Sequence, residues 1–156
     1  MAEGGAVRTV SWCSIAAQHP MEGWATWGVG VDVTAQRRAE EALRDSEQLY
    51  RSLVETTSEG YWLVGPDGRT LGTNHALREM LGYAHGELVG RSPAEFASPE
   101  GRECVARSIS SMVQEPHRGY ETMFRAKDGR DVHVRVSAST LVDHAGSVRG
   151  SFALLT

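Results

Sequence analysis

The stretch YETMFRAKDGRDVHVRV, residues 120–136, restricts the fold more than any other, because polar and apolar residues alternate on both sides of a turn signal. Two loops suit that turn. If Asp128 and Gly129 alone form it, Phe124 faces His133 and Val134 lies opposite Met123, which brings Glu121 and Arg125 onto the valine face. If Lys127 joins them and Gly129 takes the left-handed bulge position, Phe124 pairs with Val132, Thr122 with Val134 and Tyr120 with Val136. Glu121 then faces Arg135, and Arg125 faces Asp131. Only this three-residue loop separates an apolar face from a charged one, so it is the predicted register. Each opposite-charge pair across it adds about 0.2–1 kcal/mol. A sheet with one apolar face needs helices to cover it.

The neighbouring segments supply those helices. GYWLV (60–64) reads as a strand, GPDG as a turn, RTLGTN (69–74) as a second strand, and HALREMLGY as a short helix stopped by Gly82. PEGRECVARSISSMVQE (99–115) reads as the longest helix of this region, with Pro99 in its first turn, Val105, Ile109 and Met112 on one face, and Pro116 beyond its end. Three strands follow, from GYETMFRA, DVHVRVSAST and SVRGSFALL. Two strands, a helical stretch and three strands make an α+β order with a five-stranded antiparallel sheet and short helices on one face. Tyr61 beside Trp62 predicts that the first of these strands is covered on both faces.

A different pattern occupies the start of the chain. RTVSWCSIA and WATWGVGVDV, separated by AQHPMEG, read as a hairpin over residues 8–33 that carries Trp12, Trp24 and Trp27. Two strands alone are marginal in water, so this hairpin is expected to dock on a sheet face of this chain or of a second copy. Thr34 is placed to cap a helix running to about Val54. Ala39, Leu43, Ser46, Tyr50 and Leu53 recur along it at spacings of four and three, the coiled-coil period. A dimeric connector and a surface helix packed on its own domain both account for so short a stripe. With the hairpin also seeking cover, a homodimer is the expected assembly.

Composition narrows the function classes. The 156 residues, 40% hydrophobic and 23% charged, hold one full domain and a smaller piece. A net charge of −4 with no basic stripe gives nucleic acid no surface. No apolar run approaches the roughly 18 residues of a membrane span, and the first residues lack a signal-peptide pattern, so a cytoplasmic segment without membrane contact is expected. Cys13 and Cys104 lie far apart with no C-x-x-C spacing, which predicts buried reduced thiols and neither a disulfide framework nor a metal site. No nucleophile stands in a catalytic context, and the segment is expected not to be an enzyme.

EGYWLVGPDGRTLGTNHALREMLGY, then GELVGR, then FRAKDGRDVHVRVSAST together resemble a PAS domain over residues 48–156. VSWCSIA and GVGVDVT are similar to the last two strands of another PAS domain, and TAQRRAEEALRDSEQLYRSLVE to the helix linking tandem PAS domains in bacterial sensors. The resemblance implies remnant strands of an upstream PAS domain over 1–33, a linker helix over 34–54 and a complete PAS domain over 55–156. It also implies a piece of a longer protein, with a downstream output domain that is a sensor histidine kinase or else a cyclase or phosphodiesterase. One departure is that the Asp-x-Thr expected beyond the last strand is absent at Thr156.

The resemblance also names chemistries to test. Light-sensing flavin relatives carry a GRNC-like reactive cysteine, but here GYAHGELVGRSPAEF puts Ser92 and Pro93 after Gly90-Arg91, and GREC at 101–104 comes too late in the chain. Haem relatives ligate iron with a histidine of the long helix, where this chain offers Cys104 and Val105 and has no histidine between His85 and His117. His133 and His144 read as surface residues. What remains is a non-covalent small ligand, flavin included, in a pocket lined by Leu63, Met80, Phe96, Val105, Ile109, Phe124, Val134 and Phe152, or the same residues as a ligand-free core. The expected function is a sensory module that relays ligand or redox state through dimeric linker helices. The alternative is a ligand-free dimerisation relay.

Overall fold

Strands β1 (Val10–Ser14) and β2 (Gly28–Asp32) pair antiparallel from Val10 opposite Asp32 to Ser14 opposite Gly28. They open a computed structural model that describes residues 7–14, 22–23 and 28–156 and divides into two units, Met1–Arg51 and Ser52–Thr156. The hairpin strands are as expected, while Trp24 and Trp27 lie outside the described residues. Cys13 is exposed, contrary to the buried thiol expected, because its strand belongs to a two-stranded ribbon that no described residue of its unit covers. Helix α1 (Thr34–Thr56) follows directly. Thr34 does not cap it as predicted. Its hydroxyl accepts from the Thr9 amide at 2.7 Å and donates to Asp32 Oδ1 at 2.6 Å, so the strand pair, and not the first helical turn, takes up the side chain. None of α1 is buried, and Leu43, Tyr50 and Leu53 of the predicted stripe are more than half exposed.

The second unit holds β3 (Gly60–Val64), β4 (Thr70–Thr73), α2 (His75–Leu81), α3 (His85–Leu88), a 3-10 turn at Pro93–Glu95, α4 (Arg102–Ser110), β5 (His117–Arg125), β6 (Asp131–Val142) and β7 (Val148–Leu155). Its sheet order is β4-β3-β7-β6-β5, all neighbours antiparallel. The first strand sits inside the sheet, paired to β4 on one edge and to the last strand on the other. The β5–β6 register is the predicted one: Phe124 opposite Val132, Thr122 opposite Val134, Tyr120 opposite Val136, Glu121 opposite Arg135. Gly129 has φ +89°, the left-handed conformation that the three-residue loop demands and that a Cβ makes costly. Phe124, Val134, Val136 and Ala138 face a core completed by Trp62, Leu77, Leu81, Leu88, Phe96, Val105 and Leu155. Trp62 centres its aromatic part, with ring centroids 5.3 Å from Phe124 and 6.1 Å from Phe96.

The helices follow local chemistry. Asn74 caps α2, and Gly82 ends it in the left-handed region with its amide on the Arg78 carbonyl. The long helix predicted over 99–115 is shorter, because serines stop it: Ser110 Oγ turns back to the Arg107 carbonyl at 2.9 Å and Ser111 Oγ to the Ser108 carbonyl at 3.4 Å. Pro99 precedes it in a turn. Met112 lies beyond its end yet remains buried.

Candidate functional site

The sheet and helices enclose a cavity of about 40 Å³ lined by Trp62, Val105, Ser108, Ile109, Arg118 and Tyr120, among others. Of the residues predicted to line a pocket, Val105, Ile109 and Phe124 do so. Phe96 and Val134 belong to the packed core, and Met80 lies half-buried against it. Leu63 and Phe152 do not face this space. They pair with each other across β3 and β7 and point to the opposite face, where Phe152 stacks on Tyr61 at 6.1 Å, so Trp62 and Val64 take the inward positions. The cause is strand parity: GYWLV and SFALL are apolar at consecutive positions, and only the pairing decides which residues point in.

The inward face carries one charge. Arg118, on β5 opposite Ala138, is only 7% exposed. Its Nε donates to Ser108 Oγ at 3.2 Å, Nη1 to Thr140 Oγ1 at 2.9 Å and to the Glu115 carbonyl, and Nη2 to Ser151 Oγ at 2.6 Å. Burial pulls its pKa below the usual arginine value, with Tyr120 and Glu115 opposing. Burial likewise pushes the Tyr120 phenol up. Ser151 and Thr140 spend their own protons on the Ser139 and Met112 carbonyls, at 2.9 and 2.7 Å, which fixes their oxygens toward the guanidinium. The signal for Arg118 was present in the sequence: the hairpin register, carried back from Phe124, puts it on the apolar face.

A second buried polar residue joins the domain to its leading helix. Asn74, with no exposed surface, accepts from the amides of Tyr61 (2.8 Å) and Leu77 (3.0 Å) and donates to the carbonyls of Val54 (3.0 Å) and Glu59 (2.8 Å). Beside it the Glu55 carboxylate accepts from the His75 amide at 2.9 Å and lies 3.6 Å from Arg78. The last turn of α1, β3 and α2 therefore meet in one hydrogen-bonded knot.

Other candidates fall away from the cavity. Cys104 borders a surface groove of about 490 Å³ with Glu100, Glu121, His133 and Arg135, while Val105 beside it points inward. His133 and His144 are exposed. The space of about 40 Å³ is several-fold below the roughly 300 Å³ at which small-molecule pockets begin. Among the described residues no three or more of His, Cys, Asp and Glu gather to hold a metal, and no helix is long and apolar enough to cross a membrane.

With this geometry in place, comparison with known proteins is direct. The C4-dicarboxylate transport sensor protein DctS of Rhodobacter capsulatus is 32% identical over 118 residues, which cover 74% of this chain and 18% of that protein. The "Probable diguanylate cyclase DgcE" of Escherichia coli K12 is 30% identical over 112 residues, 70% of this chain and 10% of that protein. The chain thus spans less than a fifth of these relatives. Among solved structures, the PAS domain of an HTR-like protein from Haloarcula marismortui superposes with a TM-score of 0.65 at 24% identity, covering 77% of this chain and 98% of that one. A PAS domain from a two-component sensor histidine kinase gives 0.62 at 18%, covering 72% and 96%. Residues 48–156 match the family described as PAS fold, and together with the five-stranded sheet and its covering helices this makes the chain a member of the PAS family.

Proposed function

We propose that this chain is the input-and-relay part of a signalling protein: a PAS sensory domain whose core state is passed to α1, which pairs with α1 of a second copy and hands the change to an output domain of the same protein. The observation that carries this reading is the Asn74 knot, which ties the last turn of α1 to the strand and helix that border the core. Any shift of β3 or α2 moves donors that α1 depends on, Asn74 Nδ2 for the Val54 carbonyl and the His75 amide for the Glu55 carboxylate. Along the rest of α1 the stripe of Ala39, Leu43, Ser46, Tyr50 and Leu53 is exposed and at coiled-coil spacing, as a helix that meets a twin requires. Residues 1–33 fit the closing strands of an upstream PAS domain in such an array, and the sensor and cyclase names of the relatives favour a histidine kinase or a cyclase as output. Light scattering on the eluting protein should give about twice the mass of one chain, and Leu43→Asp with Tyr50→Asp should halve it without changing the melting of the PAS domain. A wild-type monomer at about 50 µM, well above a micromolar dissociation constant, refutes the relay.

A ligand-free relay is the second reading, favoured by the small volume of the cavity. Freshly purified protein that absorbs between about 350 and 500 nm would exclude it, since flavin and haem report themselves there.

A further inference from the structure

We propose that Arg118 and the cavity beside it form a binding site for a small carboxylate, of formate or acetate size. The proposal rests on reading the domain as a signal input and adds the class of ligand.

The argument begins with charge. Several surface arginines of this unit meet carboxylates, as Arg91 does with Glu95, Arg125 with Asp131 and Arg135 with Glu121. The one arginine that is nine-tenths buried meets none among the described residues, and its partners are three hydroxyls and a carbonyl, all neutral. With no carboxylate in contact, and that of Glu115 acting on it only through space, the buried guanidinium retains a desolvation penalty that an anion in the adjoining space offsets. Neutral acceptors hold the guanidinium in one orientation, so the site is organised before the anion arrives.

Donors and space then limit the anion. One N–H of Nη2 has no acceptor among the described residues, since its single bond goes to Ser151. Ser108 and Tyr120 both line the cavity, and their hydroxyls carry two protons, of which a bond between them would commit only one. A guanidinium N–H and a hydroxyl on the same wall match the two oxygens of a carboxylate. A cavity of 40 Å³ admits about three or four non-hydrogen atoms, given about 10–15 Å³ for each water-sized body. Val105, Ile109, Phe124 and Leu155 give the remaining wall an apolar surface that suits a methyl group.

The test titrates the whole chain with sodium formate, sodium acetate, sodium chloride and neutral acetamide at ionic strength held with sodium sulfate, reading the melting temperature and the ¹³C line width of labelled formate. Formate or acetate should raise the melting temperature saturably and broaden the line, acetamide and chloride should not, and Arg118→Gln should weaken binding at least about tenfold. Should that variant fail to fold, Ile109→Phe, which fills the cavity and leaves Arg118 in place, should abolish the response. No saturable carboxylate response in the wild type, an equal response to acetamide, a response to chloride alone, or a full response in Ile109→Phe overturns the site. A dimer that binds no carboxylate removes this site and keeps the relay, whereas a monomer that binds one removes the relay and keeps the site.

Discussion

Asn74 shows how much one side chain can join. Its oxygen accepts from two amides and its nitrogen serves two carbonyls, all with no surface exposed to solvent. Asn74→Ala is expected to cost about 2–4 kcal/mol in urea unfolding, the loss of a helix cap added to carbonyls and amides left without partners. Asn74→Asp keeps the acceptor for the Tyr61 and Leu77 amides but sets a buried carboxylate oxygen against the Val54 and Glu59 carbonyls, so its stability loss should be at least as large, with lower helical circular dichroism as the last turn of α1 loosens. At the surface, Glu95 accepts from the Ser92 amide at 2.9 Å and then from Arg91, and these bonds hold its carboxyl below the usual range. Since the folded value lies below the unfolded one, the stabilisation is whole above about pH 4.3 and is lost as pH falls through the folded value. The melting temperature of Glu95→Gln should therefore fall less steeply than that of wild type between about pH 5 and 3; identical slopes would show that the carboxylate does not contribute.

Elements differ in how much of their packing is legible in sequence. In β5 and β6 charge alternates with apolar residues, so the register followed from residue types alone, and the Gly129 loop agrees with it. Exchanging the charges of Glu121 and Arg135 together should restore part of what either reversal costs, with a coupling of about 0.2–1 kcal/mol, small because both side chains are mostly exposed. A cycle without coupling would mean that the pair holds nothing. In β3 and β7 there is no alternation to read, and the pocket residues chosen there, Leu63 and Phe152, took the wrong parity. Arg118 was overlooked for the opposite reason: its register position was legible, but a positive charge on an apolar face makes sense only once three hydroxyls from α4, β6 and β7 converge on it. The length of α4 depended on serine side chains competing for helix carbonyls, an outcome that apolar periodicity does not carry.

At the scale of the molecule, α1 belongs to both units. The division falls between Arg51 and Ser52, inside a continuous helix, and the Asn74 knot holds only the part beyond it. One helix is thus divided between two regimes of local opening. The Val54 carbonyl is held by a fully buried side chain, so unwinding the last turn far enough to release its amides also breaks that bond, whereas the amides of the first half open by fraying of the helix. Hydrogen–deuterium exchange should show a step in protection near residue 52, with the last turn exchanging as slowly as β3 and the first half within seconds at low protein concentration. Raising the concentration should move the step toward Thr34, because a paired helix no longer opens alone. Uniform protection along α1 in dilute protein would rule this out. The boundary between what the domain holds and what a second chain must hold is then a position along one helix, readable amide by amide.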